Sequence, residues 1–84
     1  MVPDYPPLAA REGIEGWSQV GFTVTETGSV KDVVIMDADP ENIFDQVSLE
    51  AAQKLQYTPR RINGEPVETP NVQHVFRFNL GSDR

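Results

Sequence analysis

The sequence predicts an α+β fold, a three-stranded antiparallel sheet with two helices packed on one face, in the order helix, strand, strand, helix, strand. Three observations carry that prediction. Trp17–Glu26 and Val72–Leu80 alternate apolar and polar residues with a period of two. The stretch after Asp39-Pro40 instead repeats its apolar residues every three or four positions, as a helix must to bury one face. A glycine-bearing turn, Glu26-Thr27-Gly28-Ser29, joins the first alternating stretch to a β-branched run from Val30 to Asp37, so the two form a hairpin.

Taken in order, Tyr5-Pro6-Pro7-Leu8-Ala9-Ala10-Arg11-Glu12-Gly13 reads as a short helix. Proline is accepted in a first turn, Leu and Ala favour helix, and Gly13 suits a left-handed C-terminal cap. In the first strand Val20, Phe22 and Val24 share one face, and Gln19, Gly21, Thr23 and Thr25 the other. The second strand alternates poorly, because Val33, Val34, Ile35 and Met36 are consecutive. Either both its faces are covered or a bulge shifts its register. Asp39-Pro40 reads as a helix start, with Asp39 as N-cap and Pro40 at the first helical position. The stripe that follows is Ile43, Phe44, Val47, Ala51 and Leu55, widened by Leu49 and Ala52, and the helix stops before Thr58-Pro59. Arg60 to Pro70 reads as loop with at most short extended pieces. In the last strand Val72, His74, Phe76, Phe78 and Leu80 face the core, and Gln73, Val75, Arg77 and Asn79 face away. Phe22, Phe44, Tyr57 and Phe76 all lie on inward stripes and are expected to meet between sheet and helices.

Composition narrows the function classes. The chain has 84 residues, a net charge of −6, no cysteine and one histidine, which suits one small domain over residues 1–84 with neither disulfides nor thiolate metal sites. The acidic balance argues against nucleic acid as a partner, since phosphate calls for clustered Lys and Arg. No stretch approaches the roughly 18 consecutive apolar residues of a membrane span, and Met1-Val2-Pro3-Asp4 opens no signal peptide, so the stretch reads as soluble.

Chemistry finds little purchase. The sole imidazole, His74, falls on the inward face of a strand, where a structural role is the simpler reading than a catalytic one. Asp37 and Asp39 are explained by capping without a metal. The remaining carboxylates are dispersed, with neither the spacing of a calcium loop nor a glycine-rich phosphate cradle nearby. The expectation is therefore a non-enzyme with no cofactor and no metal. Trp17 falls on the face away from the helices, either as an aromatic anchor for a partner or as a cover for the sheet end. A three-stranded sheet has two edges, and pairing with another chain, including a second copy, is physically available at each.

One ordered set of residues resembles a known family over nearly the whole chain. The set comprises Tyr5-Pro6-x-x-Ala9, Gly13-Ile14-Glu15-Gly16-Trp17, Phe22-Thr23-Val24, Gly28-Ser29-Val30, Phe44-Asp45, Ala51, Tyr57-x-Pro59, Asn63-Gly64-x-Pro66-Val67 and Phe76-x-Phe78-x-Leu80. It looks like the C-terminal domain of TonB-type proteins, energy transducers of the Gram-negative envelope. The resemblance implies the periplasmic domain of an inner-membrane-anchored protein that couples to ExbB and ExbD through an N-terminal part. These 84 residues include neither that membrane helix nor the Pro-rich linker. Its implied partner is the TonB box of outer-membrane transporters, for uptake of siderophores or similar nutrients. The strand residues Val72, Gln73, His74, Val75, Phe76, Arg77 and Phe78 would pair with that box by β-strand addition. Val2, Pro3, Asp4, Tyr5 and Pro6 occupy the stretch that lies near the transporter plug in the family. The chain departs from the pattern in three places: Val2 where Gln is familiar, Leu8 where some members have Arg, and the pair Leu55-Gln56 where Trp and a basic residue are common. The alternative reading is a related envelope protein-interaction module, TolA-like or from another TonB-domain protein, whose partner is not a transporter.

Overall fold

The computed structural model describes residues 4–80. Helix α1 spans Pro7–Glu12, strands β1 and β2 span Gly16–Val24 and Val30–Asp39, and helix α2 spans Asp45–Ala52. Strands β3 (Arg60–Ile62), β4 (Glu65–Val67) and β5 (Thr69–Phe78) complete the chain. A three-stranded antiparallel sheet is ordered β2-β1-β5, and β3 and β4 pair as a separate hairpin. The expected α+β architecture is therefore present.

Helix α1 ends as its sequence demands. Gly13 takes φ 72°, and the N–H of Ile14 reaches back to the Ala9 carbonyl at 2.8 Å, satisfying orphan carbonyls of the last turn. The β1–β2 turn closes with the Thr25 N–H donating to the Ser29 carbonyl at 2.8 Å and the Gly28 N–H to the Thr25 carbonyl at 3.0 Å. Gly28 sits at φ 90°, and a Cβ there would lie 2.1 Å from the Tyr57 carbonyl oxygen, so no other residue fits.

The second strand resolves in favour of bulges. Gln19 and Val20 oppose Asp37 and Ile35, and Gly21 and Thr23 oppose Val34 and Lys31, so β2 carries one extra residue at each place. Asp32 adopts φ 56° at the second of these. Between the bulges Val33 and Ile35 pack against the core, while Val34 and Met36 stay about half exposed on the outer face.

Helix α2 differs from the expectation at both ends. Asp39 does not cap it: Ala38 and Asp39 are still paired with Ser18 and Trp17, and their backbone is committed to the sheet. The helix begins at Asp45, after Asn42 at φ 68°, with Phe44 at the N-cap and no side-chain capping bond. It ends at Ala52, where the N–H groups of Lys54 and Leu55 bond to carbonyls three residues back, a tightened last turn that tips Leu55 onto the core. The stripe extends beyond the helix at both ends: Phe44, Ala51 and Ala52 are buried, and Ile43, Val47 and Leu55 pack against the core, with Ile43, Phe44 and Leu55 outside α2.

The four aromatic residues expected together belong to one core but stack in separate groups. Phe44 stacks on Phe78 with centroids 4.1 Å apart, and Tyr5 meets both edge-on. At the other end Phe22 and Tyr57 lie 5.6 Å apart, and Phe76 contacts His74 at 4.7 Å. Asn63-Gly64, within the expected loop, is the tip of the β3–β4 hairpin, with both residues at positive φ as a two-residue turn requires.

Candidate interaction edge

The last strand has the predicted alternation. Phe76 and Phe78 are buried, Val72 and His74 half-buried, and Gln73, Val75 and Arg77 exposed. Among the described residues β5 pairs only with β1, so its other side is an edge.

Hydrogen-bond phase decides which backbone groups that edge presents. The extra residue at every register shift lies in β2 or β5, so β1 alternates without a break. The Thr25 N–H points to β2, and by period two the odd-numbered residues of β1 do likewise, leaving the even-numbered ones to face β5. Ser18↔Phe76 and Val20↔His74 are thus the bonded pairs, and Gln73, Val75 and Arg77 turn their N–H and C=O groups outward. The Leu80 N–H agrees, since it donates to Glu15 on the β1 side at 2.7 Å.

The two edges are not equivalent. Pairing of β1 with β5 runs unbroken from Gly16↔Phe78 to Phe22↔Val72, and the β5 irregularity, at Asn71 with φ 62°, lies beyond it. Edge strand β2 is interrupted twice over the same length, which twists and blunts it against pairing.

The other residues singled out from sequence are spread over the molecule. His74 is half-buried against Phe76, and no described group of three or more His, Asp or Glu could hold a metal ion. Asp37 accepts the N–H of Ala38 at 2.9 Å. Trp17 is half-buried on the outer face between Asp39 and Arg77, a position between its two readings. Val2 and Pro3 lie outside the described residues, Asp4 is exposed, and Pro6 precedes α1. Tyr5 anchors the N-terminal segment: its ring is in the aromatic group and its hydroxyl donates to the Ile14 carbonyl. Burial, with Glu15 nearby, raises its pKa above the ordinary phenol value. A buried hydroxyl pair, Ser18 with Ser48, joins β1 to α2 and was not singled out from the sequence. Its signature was present, since Ser18 keeps the parity of Val20 and Ser48 lies four residues after Phe44.

A family described as the Gram-negative bacterial TonB protein C-terminal matches residues 1–80. The chain belongs to the TonB C-terminal family. It is 30% identical over 82 residues to Protein TonB of Pseudomonas aeruginosa, which covers 98% of this chain and 24% of that protein. Protein TonB of Salmonella typhimurium is 36% identical over 77 residues, covering 92% of this chain and 30% of the relative. The chain therefore spans about a quarter to a third of the curated relatives' length. The solution NMR structure of the Pseudomonas aeruginosa TonB C-terminal domain superposes with a TM-score of 0.81 at 31% identity, over 100% of this chain and 84% of that one. The TonB2 protein from Vibrio anguillarum gives 0.72 at 30% identity, over 95% and 76%. Leu55, one of the departures noted from the sequence, packs against the core and fills a structural place.

Proposed function

We propose that this TonB-family domain is a periplasmic binding module that adds the TonB box of an outer-membrane transporter to its sheet along β5, and so transmits energy for nutrient uptake. The supporting observation is the unbroken edge from Val72 to Phe78, where the opposite edge, β2, is bulged twice. Recognition by strand addition works through main-chain groups, and three outward-facing residues offer up to about six hydrogen bonds. At roughly 1 kcal/mol net each, against the cost of ordering a peptide, these give affinity that is micromolar or weaker for an isolated box. A coupling that must let go needs weak binding. Of the N-terminal stretch, the exposed Asp4 is available to a transporter, whereas Tyr5 is occupied by the core. The anchor in the inner membrane and contact with ExbB and ExbD fall to parts of the protein outside these residues. The domain carries no chemistry of its own, and the same edge is open to a second copy.

Titration of the isotopically labelled domain with a TonB-box peptide tests this. Amide shifts should centre on Gln73, Val75 and Arg77. Shifts confined to β2 with Val72–Phe78 silent would overturn the assignment.

A further inference from the structure

His74 is the chain's single histidine, and it lies on the core face of the edge strand β5, paired with Val20. It is half-buried, its ring edge-on to Phe76 with centroids 4.7 Å apart. Strand β1 closes one flank of His74, and the other flank is the open side of the sheet. Charged neighbours are few. The core-facing residues of β1 beside it, Ser18, Val20 and Phe22, and its β5 neighbours Val72, Phe76 and Phe78 carry no charge. Asp45 and Glu50 belong to α2, which packs chiefly on β1 and β2. Lys54 and Arg60 are exposed, Tyr57 leans toward Phe22, and Glu68 is engaged by Lys31 at 2.7 Å. Among the described residues no carboxylate lies within ion-pair distance of the His74 ring, so an imidazolium there depends on water for its solvation.

We propose that His74 makes docking at this edge sensitive to pH, the neutral imidazole accepting the added strand and the imidazolium opposing it. The inference rests on strand addition at β5. Neighbouring strands lie about 4.8 Å apart, so whichever way the peptide runs, its core-facing side chains pass beside His74 and displace water from the open flank. Losing that water costs the charged ring more than the neutral one. Docking therefore weakens the ring's hold on its proton, and by reciprocity protonation weakens the hold on the peptide. The sign follows. Affinity is full where the imidazole is neutral in both states, and it falls as pH drops through the imidazole range, roughly pH 8 to 5.

The test is calorimetry of the domain with a TonB-box peptide capped at both ends, from about pH 8 to about pH 5.5. The dissociation constant should rise roughly three- to tenfold on acidification, tenfold corresponding to a displacement of the ring's titration by one pH unit. Followed by NMR, the titration of the His74 ring protons should move to lower pH when the peptide is saturating. His74→Gln, which keeps every other group titrating in that window, should flatten the affinity profile. Three results would each overturn the inference and leave strand addition standing, provided the Gln73, Val75 and Arg77 amides still shift. They are a flat profile for the parent, a slope that survives in His74→Gln, and a ring titration that stays in place or moves to higher pH. If those amides stay silent at every pH, both fall.

Discussion

At the scale of single residues, the most informative side chains are polar ones inside the core. Ser18 and Ser48 are fully buried and bonded to each other, a tie between β1 and α2 whose two halves are worth little apart. Ser48→Ala should cost about 1–3 kcal/mol, because the Ser18 hydroxyl is left shielded from water without a partner. The Ser18→Ala/Ser48→Ala double variant should recover much of that loss, giving a coupling visible in a urea-unfolding cycle. Additive single effects would show that the pair does not act as a unit. Tyr5 makes a second, pH-dependent prediction. Its folded pKa is raised by burial and then by Glu15, so its contribution is complete below the unfolded value and declines as pH rises toward the folded one. Lys31, raised mainly by its hydrogen bond and ion pair with Glu68 at 2.7 Å, has the same sign, so both act in the alkaline range. Tyr5→Phe should lose about 1 kcal/mol at neutral pH through its bond to Ile14, yet show a shallower decline of melting temperature above roughly pH 10.

The elements show where sequence reasoning succeeds and why it stops. Period-two alternation placed β1 and β5 on the correct faces because each buries one side against the same core and nothing competes with that pattern. The start of α2 was misread because Asp39-Pro40 satisfies local capping rules, whereas the Ser18↔Ala38 and Trp17↔Asp39 pairs that override them join residues about twenty positions apart. The β2 bulges follow the same logic, four consecutive apolar residues leaving two readings that only pairing with β1 could separate. The candidate edge was legible as a strand, but its bonded phase depended on one turn hydrogen bond at Thr25. Phe44 shows that the stripe mattered more than the helix: it sits just outside α2, 0% exposed, stacked on Phe78 and met by Tyr5. Phe44→Ala should therefore cost about 3–5 kcal/mol by cavity formation, enough to unfold much of so small a domain. A cost below about 1 kcal/mol in urea unfolding would mean the site collapses without loss.

At the scale of the whole molecule, the sheet is asymmetric: β1 is buried between partners, β2 is bulged, and β5 presents a straight run with a known bonding phase. That phase separates binding from stability. Val75 directs its N–H outward, so proline there removes no bond to β1 and falls on an edge position where proline is tolerated. It does remove a donor at the centre of the proposed docking edge. His74, one residue earlier, is paired with Val20 in the bonded phase, and proline there deletes a ladder hydrogen bond inside the sheet. Val75→Pro should accordingly retain a cooperative unfolding transition while losing measurable binding of a TonB-box peptide, and His74→Pro should lose several kcal/mol of stability, on the order of 3 by analogy with proline in a helix interior. Val75→Ala, which trims an exposed side chain and leaves the main chain intact, should bind within a few-fold of the parent. Undiminished binding by a folded Val75→Pro variant, read by calorimetry beside its unfolding curve, would show that the added strand does not use this edge.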